Sequence, residues 1–312
     1  MGAGRRLGLR GMAVASAAAL ALTGCGGEGE RRSSPPAPAP APRTDLVVGI
    51  GEQQAPMFAD PRFRALGIDH ARLVVPYDAV GLPVERDLTD AWLAAARGAG
   101  VEPFITFGHS RAEPTKLPTV AQFRAAFRAF RARYPQVRLY APWNEINHFS
   151  QPTATAPRRA AEYYNVVKAG CGACTVLAGD VLDQRGMVGY LRRYRRQLDG
   201  SPRIWGLHNY ADSNRFRDSG LRDLLGAVAG DVWLTETGGI VRFGRGFPHD
   251  EQRAARAVAF SLRLARRQAR VKRIYLYNWT GANTGDRFDA GLVGPDGRTR
   301  PAYEVLRRAL GR

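Results

Sequence analysis

The chain has 312 residues, 45% of them apolar, and a formal charge of +18. A balance this basic invites a nucleic-acid or acidic-polymer reading, but arginine supplies nearly all of it, with lysine only at positions 116, 168 and 272. The arginines recur opposite apolar stripes, as in Phe123-Arg124-Ala125-Ala126-Phe127-Arg128-Ala129-Phe130-Arg131, so they read as solvated helix faces and no nucleic-acid partner is expected.

The first segment is basic (Arg5, Arg6, Arg10), then apolar from Met12 to Leu22, then Thr23-Gly24-Cys25. That order is an export signal rather than part of a fold, and the apolar run is short for a spanning helix. Leu22-Thr23-Gly24-Cys25 resembles the lipobox of bacterial lipoproteins. The resemblance implies a signal peptide over 1–24, cleavage before Cys25, and a lipid on that cysteine that holds the protein at the outer face of the cell membrane. Residues 25–44 carry Ser33-Ser34-Pro35-Pro36 and an Ala-Pro alternation through Pro42. Such a segment cannot bury a core and reads as an extended stalk.

Residues 45–312 are close to the ~250 of one eight-fold barrel. Strand-like apolar runs at 47–51, 71–76, 101–107, 137–143, 175–179, 203–209, 232–236 and 272–279 alternate with helical patterns at 60–66, 88–100, 120–134, 157–169, 187–198, 221–228, 250–270 and 301–310. Short apolar strands between helices suit a helix-covered parallel sheet. Eight regular units favour a closed (β/α)8 TIM barrel, an α/β fold, over a doubly wound open sheet. Gly49-Ile50-Gly51-Glu52-Gln53 lacks the third glycine of a dinucleotide loop and opens no helix, and no cofactor is expected. Cys171 and Cys174 are the cysteines of this region, and in an exported chain they suggest a disulfide that staples a loop at a helix end. No second Cys or His pair lies nearby at ligand spacing, so no metal site is expected. A monomer is expected.

Polar residues collect at the ends of the predicted strands, where a barrel carries its chemistry. Arg72 lies in the second strand, and His109 ends the third in Phe107-Gly108-His109. The fourth ends in Trp143-Asn144-Glu145-Ile146-Asn147, the sixth in His208-Asn209-Tyr210, the seventh in Trp233-Leu234-Thr235-Glu236-Thr237-Gly238-Gly239, and the eighth in Tyr277-Asn278-Trp279. Two glutamates at separate strand ends can converge on one cleft, as glycosidic cleavage with retention requires, with carboxyl groups ~5–5.5 Å apart. Each residue also has a plainer reading. Arg72 fits a barrel interior paired with a structural carboxylate, His109 and His208 fit satisfied core histidines, and Trp279 fits packing at the barrel mouth. Phe149, Phe243 and Phe247 fall on the loops of the same end.

With Asn-Glu after strand four and Glu after strand seven, 45–312 resembles the clan A (β/α)8 retaining glycoside hydrolases, and is similar to families 5 and 39. The resemblance implies a glycosidase acting on a β-linked glycan, with Glu145 as acid/base and Glu236 as nucleophile. A raised Glu145 pKa is expected from the charge of Glu236. Arg72 and Tyr210 would hold Glu236. Asn144 would bond the hydroxyl beside the anomeric carbon, His109 and His208 other hydroxyls, and Trp279 would stack on a sugar ring. Ile146-Asn147 stands where many relatives have proline after the glutamate, and His208-Asn209-Tyr210 fits the sixth-strand pattern only approximately. The alternative is a non-catalytic carbohydrate- or envelope-binding lipoprotein on the same barrel.

Overall fold

The computed structural model describes residues 45–312; the expected signal peptide, Cys25 and the proline-rich stalk lie outside the described residues. In chain order the elements are β1 (Val47–Gly51), α1 (Pro61–Leu66), β2 (His70–Pro76), α2 (Pro83–Gly98), β3 (Glu102–Gly108), α3 (Val120–Arg133), β4 (Leu139–Ala141) and α4 (Pro157–Gly170). They continue with β5 (Thr175–Val176), β6 (Asp180–Leu182), α5 (Met187–Arg195), β7 (Ile204–His208), α6 (Tyr210–Asn214), α7 (Ser219–Ala227) and β8 (Asp231–Thr237). Last come β9 (Arg242–Phe243), α8 (Glu251–Arg267), β10 (Val271–Tyr277), β11 (Phe288–Asp289) and α9 (Pro301–Ala309).

The parallel sheet runs β5-β4-β3-β2-β1-β10-β8-β7-β6. Its two ends are halves of one stretch of chain. Leu177 N–H donates to Tyr140 on one side, and Ala178 N–H donates to Ile204 on the other. The fifth strand of the expected (β/α)8 barrel is therefore β5 plus β6, and the barrel closes through it. Its second half lies beyond the predicted end at Gly179. Among the described residues no helix is long and apolar enough to cross a membrane.

Helix α3 shows how sequence builds the outer layer. Thr119 caps it and accepts from Gln122 N–H, while the Gln122 side chain returns to Thr119 N–H. This reciprocal box satisfies two end donors. Phe123, Phe127 and Phe130 then share one face, and all three rings meet Phe107 edge-on at 5.9, 5.9 and 5.1 Å. Burying each such ring stabilises by roughly 1.5–3 kcal/mol. Helix α2 starts at Pro83, five residues before its predicted start, because its first turns face water: Val84 and Leu88 are 71% and 60% exposed. Helix α4 ends at Gly170, and Cys171 is disulfide-bonded to Cys174 in the loop that follows.

The barrel interior is layered. A second, smaller core holds Phe104, Leu139, Ala141, Leu177, Trp233 and Tyr275, one inward position or more from five barrel strands. Above this plug the next inward positions are polar: Arg72, Thr106, Asp180 and Thr235, all fully buried. Both layers need glycines. A Cβ on Gly49 would lie 2.5 Å from the Tyr275 ring, and one on Gly206 would strike Asp180 Oδ1. Gly206→Ala should therefore destabilise by about 1–3 kcal/mol through overpacking. Gly226→Ala, at an open helical position in α7, should stabilise by about 0.5–1 kcal/mol. Urea unfolding of the two variants measures both, and equal midpoints would show that the polar layer yields.

Candidate active site

Strand alternation brings Arg72 inward, since its neighbours Ala71 and Leu73 join the outer core. Its guanidinium spans the polar layer. Nη1 donates to Glu236 Oε2 at 2.7 Å, Nη2 to Asn144 Oδ1 at 2.7 Å and Asp180 Oδ2 at 2.9 Å, and Nε to Thr106 at 3.0 Å. Asp180 also accepts from Thr235 Oγ1 at 2.8 Å. Burial opposes charge on Asp180, but Arg72 and His208 hold it down to about 2. Asp180 lies one residue past the predicted end of the fifth strand; its signal in the sequence is an acid one glycine beyond the apolar run Val176-Leu177-Ala178.

Thr235 and Glu236 are adjacent, yet both face inward. In a regular strand they would point to opposite faces. Strand β8 carries an extra residue here: Gly206 pairs with Trp233 but His208 with Glu236, and a matching shift occurs against β10. This bulge turns Glu236 into the barrel mouth. Glu145 reaches the same mouth from the turn after β4, at φ 46°, a left-handed conformation that costs a non-glycine residue roughly 1–2 kcal/mol.

His208 lies between the two glutamates. Its Nδ1 is 3.1 Å from Glu145 Oε1 and 3.8 Å from Glu236 Oε2, and its Nε2 is 3.7 Å from Asp180. Burial disfavours the cation, but Glu236, Asp180 and Glu145 push its pKa up to about 9. The ring is fully buried, so it acts on the carboxylates; the expectation that it binds sugar hydroxyls is corrected. The pKa expectation for Glu145 is corrected as well. Burial alone would raise it, but the hydrogen bond and charge of His208, with His148 and Arg72, bring Glu145 below the usual carboxylate range. Tyr210, the first residue of α6, donates to Glu236 Oε1 at 3.1 Å. Arg72 and Tyr210 thus each hold one oxygen of Glu236, the contacts the sequence suggested.

Glu236 and Asn144 line a cleft of 220 Å³ together with Gln53, His109, Gln151 and Tyr277. The Asn144 amide oxygen is taken by Arg72, which leaves its NH₂ toward the cleft. The His109 ring is 3.3 Å from Gln151, which also accepts from Trp143 at 3.1 Å. Gln53, Gln151 and Tyr277 were missed. Tyr277 ends the eighth strand two residues before the aromatic chosen from the sequence. Trp279 is 3% exposed, packs edge-on against Phe63 and Tyr303, and donates to Asp60; it has no free face for a sugar. Its backbone N–H and that of Thr280 are held by Glu52, another buried group not foreseen, whose carboxyl burial pushes up.

Of the loop aromatics, Phe149 is 85% exposed and leans on His148 at 4.3 Å. Phe243 pairs with Phe288 across the short antiparallel ladder of β9 and β11, and Phe247 packs under Arg253. One oxygen of Glu145, one oxygen of Glu236 and a ring nitrogen of His208 lie within 4.8 Å of one another. Distance alone would let this trio hold a metal, but the Arg72 guanidinium already binds Glu236 and would repel one.

No family model and no curated protein matches the sequence. Solved structures match in fold. A family 39 glycoside hydrolase from the gut symbiont Bacteroides cellulosilyticus WH2 aligns with TM-score 0.59 and 16% identity over 85% of this chain and 63% of that one. A glycoside hydrolase of family 5, subfamily 18, from Streptomyces cattleya in complex with GlcNAc aligns with TM-score 0.62 and 17% identity, over 87% and 81%. A family 10 endoxylanase from sugarcane soil metagenome gives TM-score 0.60 and 12% identity, over 85% and 97%. The chain spans less than two thirds of the family 39 protein's length, and at these identities the likeness is one of fold.

The His208 cation is favoured by folding, so its contribution is fully present below about pH 6.5 and is lost as pH rises through about 9. A His208→Gln variant should melt lower than the parent at pH 6, and the gap should narrow steadily up to pH ~9.5. A gap of constant size across that window would mean that His208 is not the cation described.

Proposed function

We propose that this protein is a retaining glycosidase that acts on a β-linked glycan by double displacement. The observation that carries the reading is the meeting of Glu145 and Glu236 at the carboxyl ends of the fourth and seventh barrel strands, with oxygens within 4.8 Å. An inverting pair needs about 6.5–9.5 Å for an intervening water. The fold likeness to glycoside hydrolases of families 39, 5 and 10 supports the same class.

Glu236, oriented by Arg72 and Tyr210, attacks the anomeric carbon as the bond to the leaving oxygen breaks. Glu145 gives that oxygen a proton, then takes one from the water that releases the glycosyl-enzyme. The low Glu145 pKa of the free protein bears on where that proton waits. It is held on the Glu145–His208 pair, 3.1 Å across. Sugar entering the cleft excludes water, strengthens the burial that favours a neutral carboxyl, and moves the proton onto Glu145. Asn144 NH₂ bonds the hydroxyl beside the reacting carbon, a contact that strengthens in the transition state. His109 and Tyr277 line the sugar's other sides.

Glu236→Ala should abolish turnover of aryl glycosides. Glu145→Ala should slow substrates with poor leaving groups by ~10²–10⁴-fold and activated ones far less. Azide should restore activated-substrate turnover in Glu145→Ala with a retained product and in Glu236→Ala with an inverted one. The parent's rate should fall at alkaline pH near 9, as the His208 proton is lost. A parent that binds glycans but turns over none, and takes no label from mechanism-based glycosyl probes by intact mass, returns the protein to the class of carbohydrate binders.

We also propose export and lipid anchoring through Cys25, on the strength of Leu22-Thr23-Gly24-Cys25 and the proline stalk. Cys25→Ser should move the protein out of the membrane fraction; identical fractionation of variant and parent would end the lipoprotein reading.

A further inference from the structure

The barrel carries its charges unevenly from end to end. Because its strands are parallel, strand starts and outer-helix carboxyl ends share one end, opposite the cleft. Basic residues occupy the last turn of α1, α2, α3, α4, α5, α8 and α9. Acids instead enter the first turns of α2, α6, α8 and α9, toward the cleft. One cation per helix end complements the helix dipole. That does not account for Arg138 and Arg203, which stand outside helices directly before β4 and β7. Arg97, Arg138, Arg196, Arg203, Arg267 and Arg308 are all exposed. No ion pair is present at any of the six among the described residues. Beyond Asp45, the acids at this end include Asp69, Glu102, Asp199 and Asp231, the first two taken up by His70 and Arg273, and Asp90, beside Arg97, is taken up by Arg133. The described chain also begins here, at Asp45, two residues before β1, so the proline-rich stretch that leads back to Cys25 joins the barrel at its basic end.

We propose that this end of the barrel docks on an anionic phospholipid surface, with the cleft facing away from it. A ring of unpaired arginines around the point of chain entry matches a negative headgroup layer in sign and extent, and attraction of this kind acts within a Debye length of the surface. A lipid on Cys25 would be joined to the barrel through Asp45 at this same end, which favours lipid over a free anionic polymer. Docking itself does not require the lipid or glycosidase activity.

The test uses the chain from Gly26 onward, which keeps every described residue and the whole closed barrel but lacks the apolar leader and Cys25. It should sediment with vesicles of equal phosphatidylglycerol and phosphatidylcholine at low salt. It should not sediment with phosphatidylcholine alone, and it should be released at about 1 M salt. The triple variant Arg196→Gln, Arg203→Gln, Arg267→Gln should bind roughly a hundredfold more weakly. A second triple in another sector of the same end, Arg97→Gln, Arg138→Gln, Arg308→Gln, should do likewise. Arg185→Gln, Arg215→Gln, Arg245→Gln removes equal charge at the cleft end and should leave binding unchanged. Equal weakening by all three triples would reduce the effect to net charge and overturn the proposal. Binding to neutral vesicles, no binding to anionic ones, or binding to soluble polyphosphate in place of vesicles would overturn it too. The readout is lipid binding alone, so its failure says nothing of the glycosidase reading.

Discussion

A single buried cation organises the cleft end of this barrel. Arg72 is fully buried, and from the second strand its guanidinium touches side chains of the third, fourth, fifth, sixth and seventh barrel strands or the turns after them. A planar fork with five donors can make such a set of contacts; an ammonium cannot. Isolated in the interior, the charge would cost many kcal/mol, so Asp180 beneath and Glu236 beside it are conditions of the fold as much as of the chemistry. Removing either acid leaves Arg72 under-compensated, and removing Arg72 leaves Asp180 buried without its cation.

The layers follow from that constraint. Below, Phe104, Trp233 and Tyr275 fill the barrel and exclude water, so the polar layer has a dry floor. The Arg72 guanidinium lies 5.8 Å from the Phe104 ring centre, where the ring face adds attraction. Above, His208 inserts a second cation between two carboxylates that would otherwise repel one another. Loops at this end are tied by further buried polar contacts: Glu52 accepts from the backbone N–H groups of Trp279 and Thr280 in the turn after β10, and Arg300 grips Asp289 at 2.7 and 2.8 Å. The two glutamates are thus held by packed strands and paired charges, which suits the fixed carboxylate spacing that the proposed reaction needs.

The two ends of the molecule differ in the charges they carry. Carboxylates and hydrogen-bonding side chains line the cleft end, while arginines without ion-pair partners ring the other. The helix arginines do lie on solvated surfaces, as helical spacing suggested, and those without ion-pair partners among the described residues include a set at the end opposite the cleft. Helical spacing reports which face of a helix meets water; it carries no information about which end of a barrel that residue reaches.

Much was legible in the linear chain. Eight apolar runs alternating with amphipathic helices require a helix-covered parallel sheet, because short apolar strands must be buried on both faces. Glu145 and Glu236 stood out because each closes such a run, and Arg72 because a charge inside a strand pattern must find a partner. Tertiary structure decided the rest. Asp180 lies where the fifth strand breaks and restarts; an acid just past an apolar run hints at it, but the restart that turns it inward is a register event the sequence does not mark. Glu236 faces inward only through a one-residue bulge on β8, invisible to period-two counting. Trp279 looked like a sugar platform by position, but the turn after the eighth strand carries its ring down between Phe63 and Tyr303. The Glu145 pKa was expected to rise from one neighbouring charge, yet in the fold His208 sits closer and carries the opposite sign. Residue types and their order specify which groups the chain can bring to a barrel mouth; distances of three to four ångströms, set by register, bulge and packing, determine which charge each group feels.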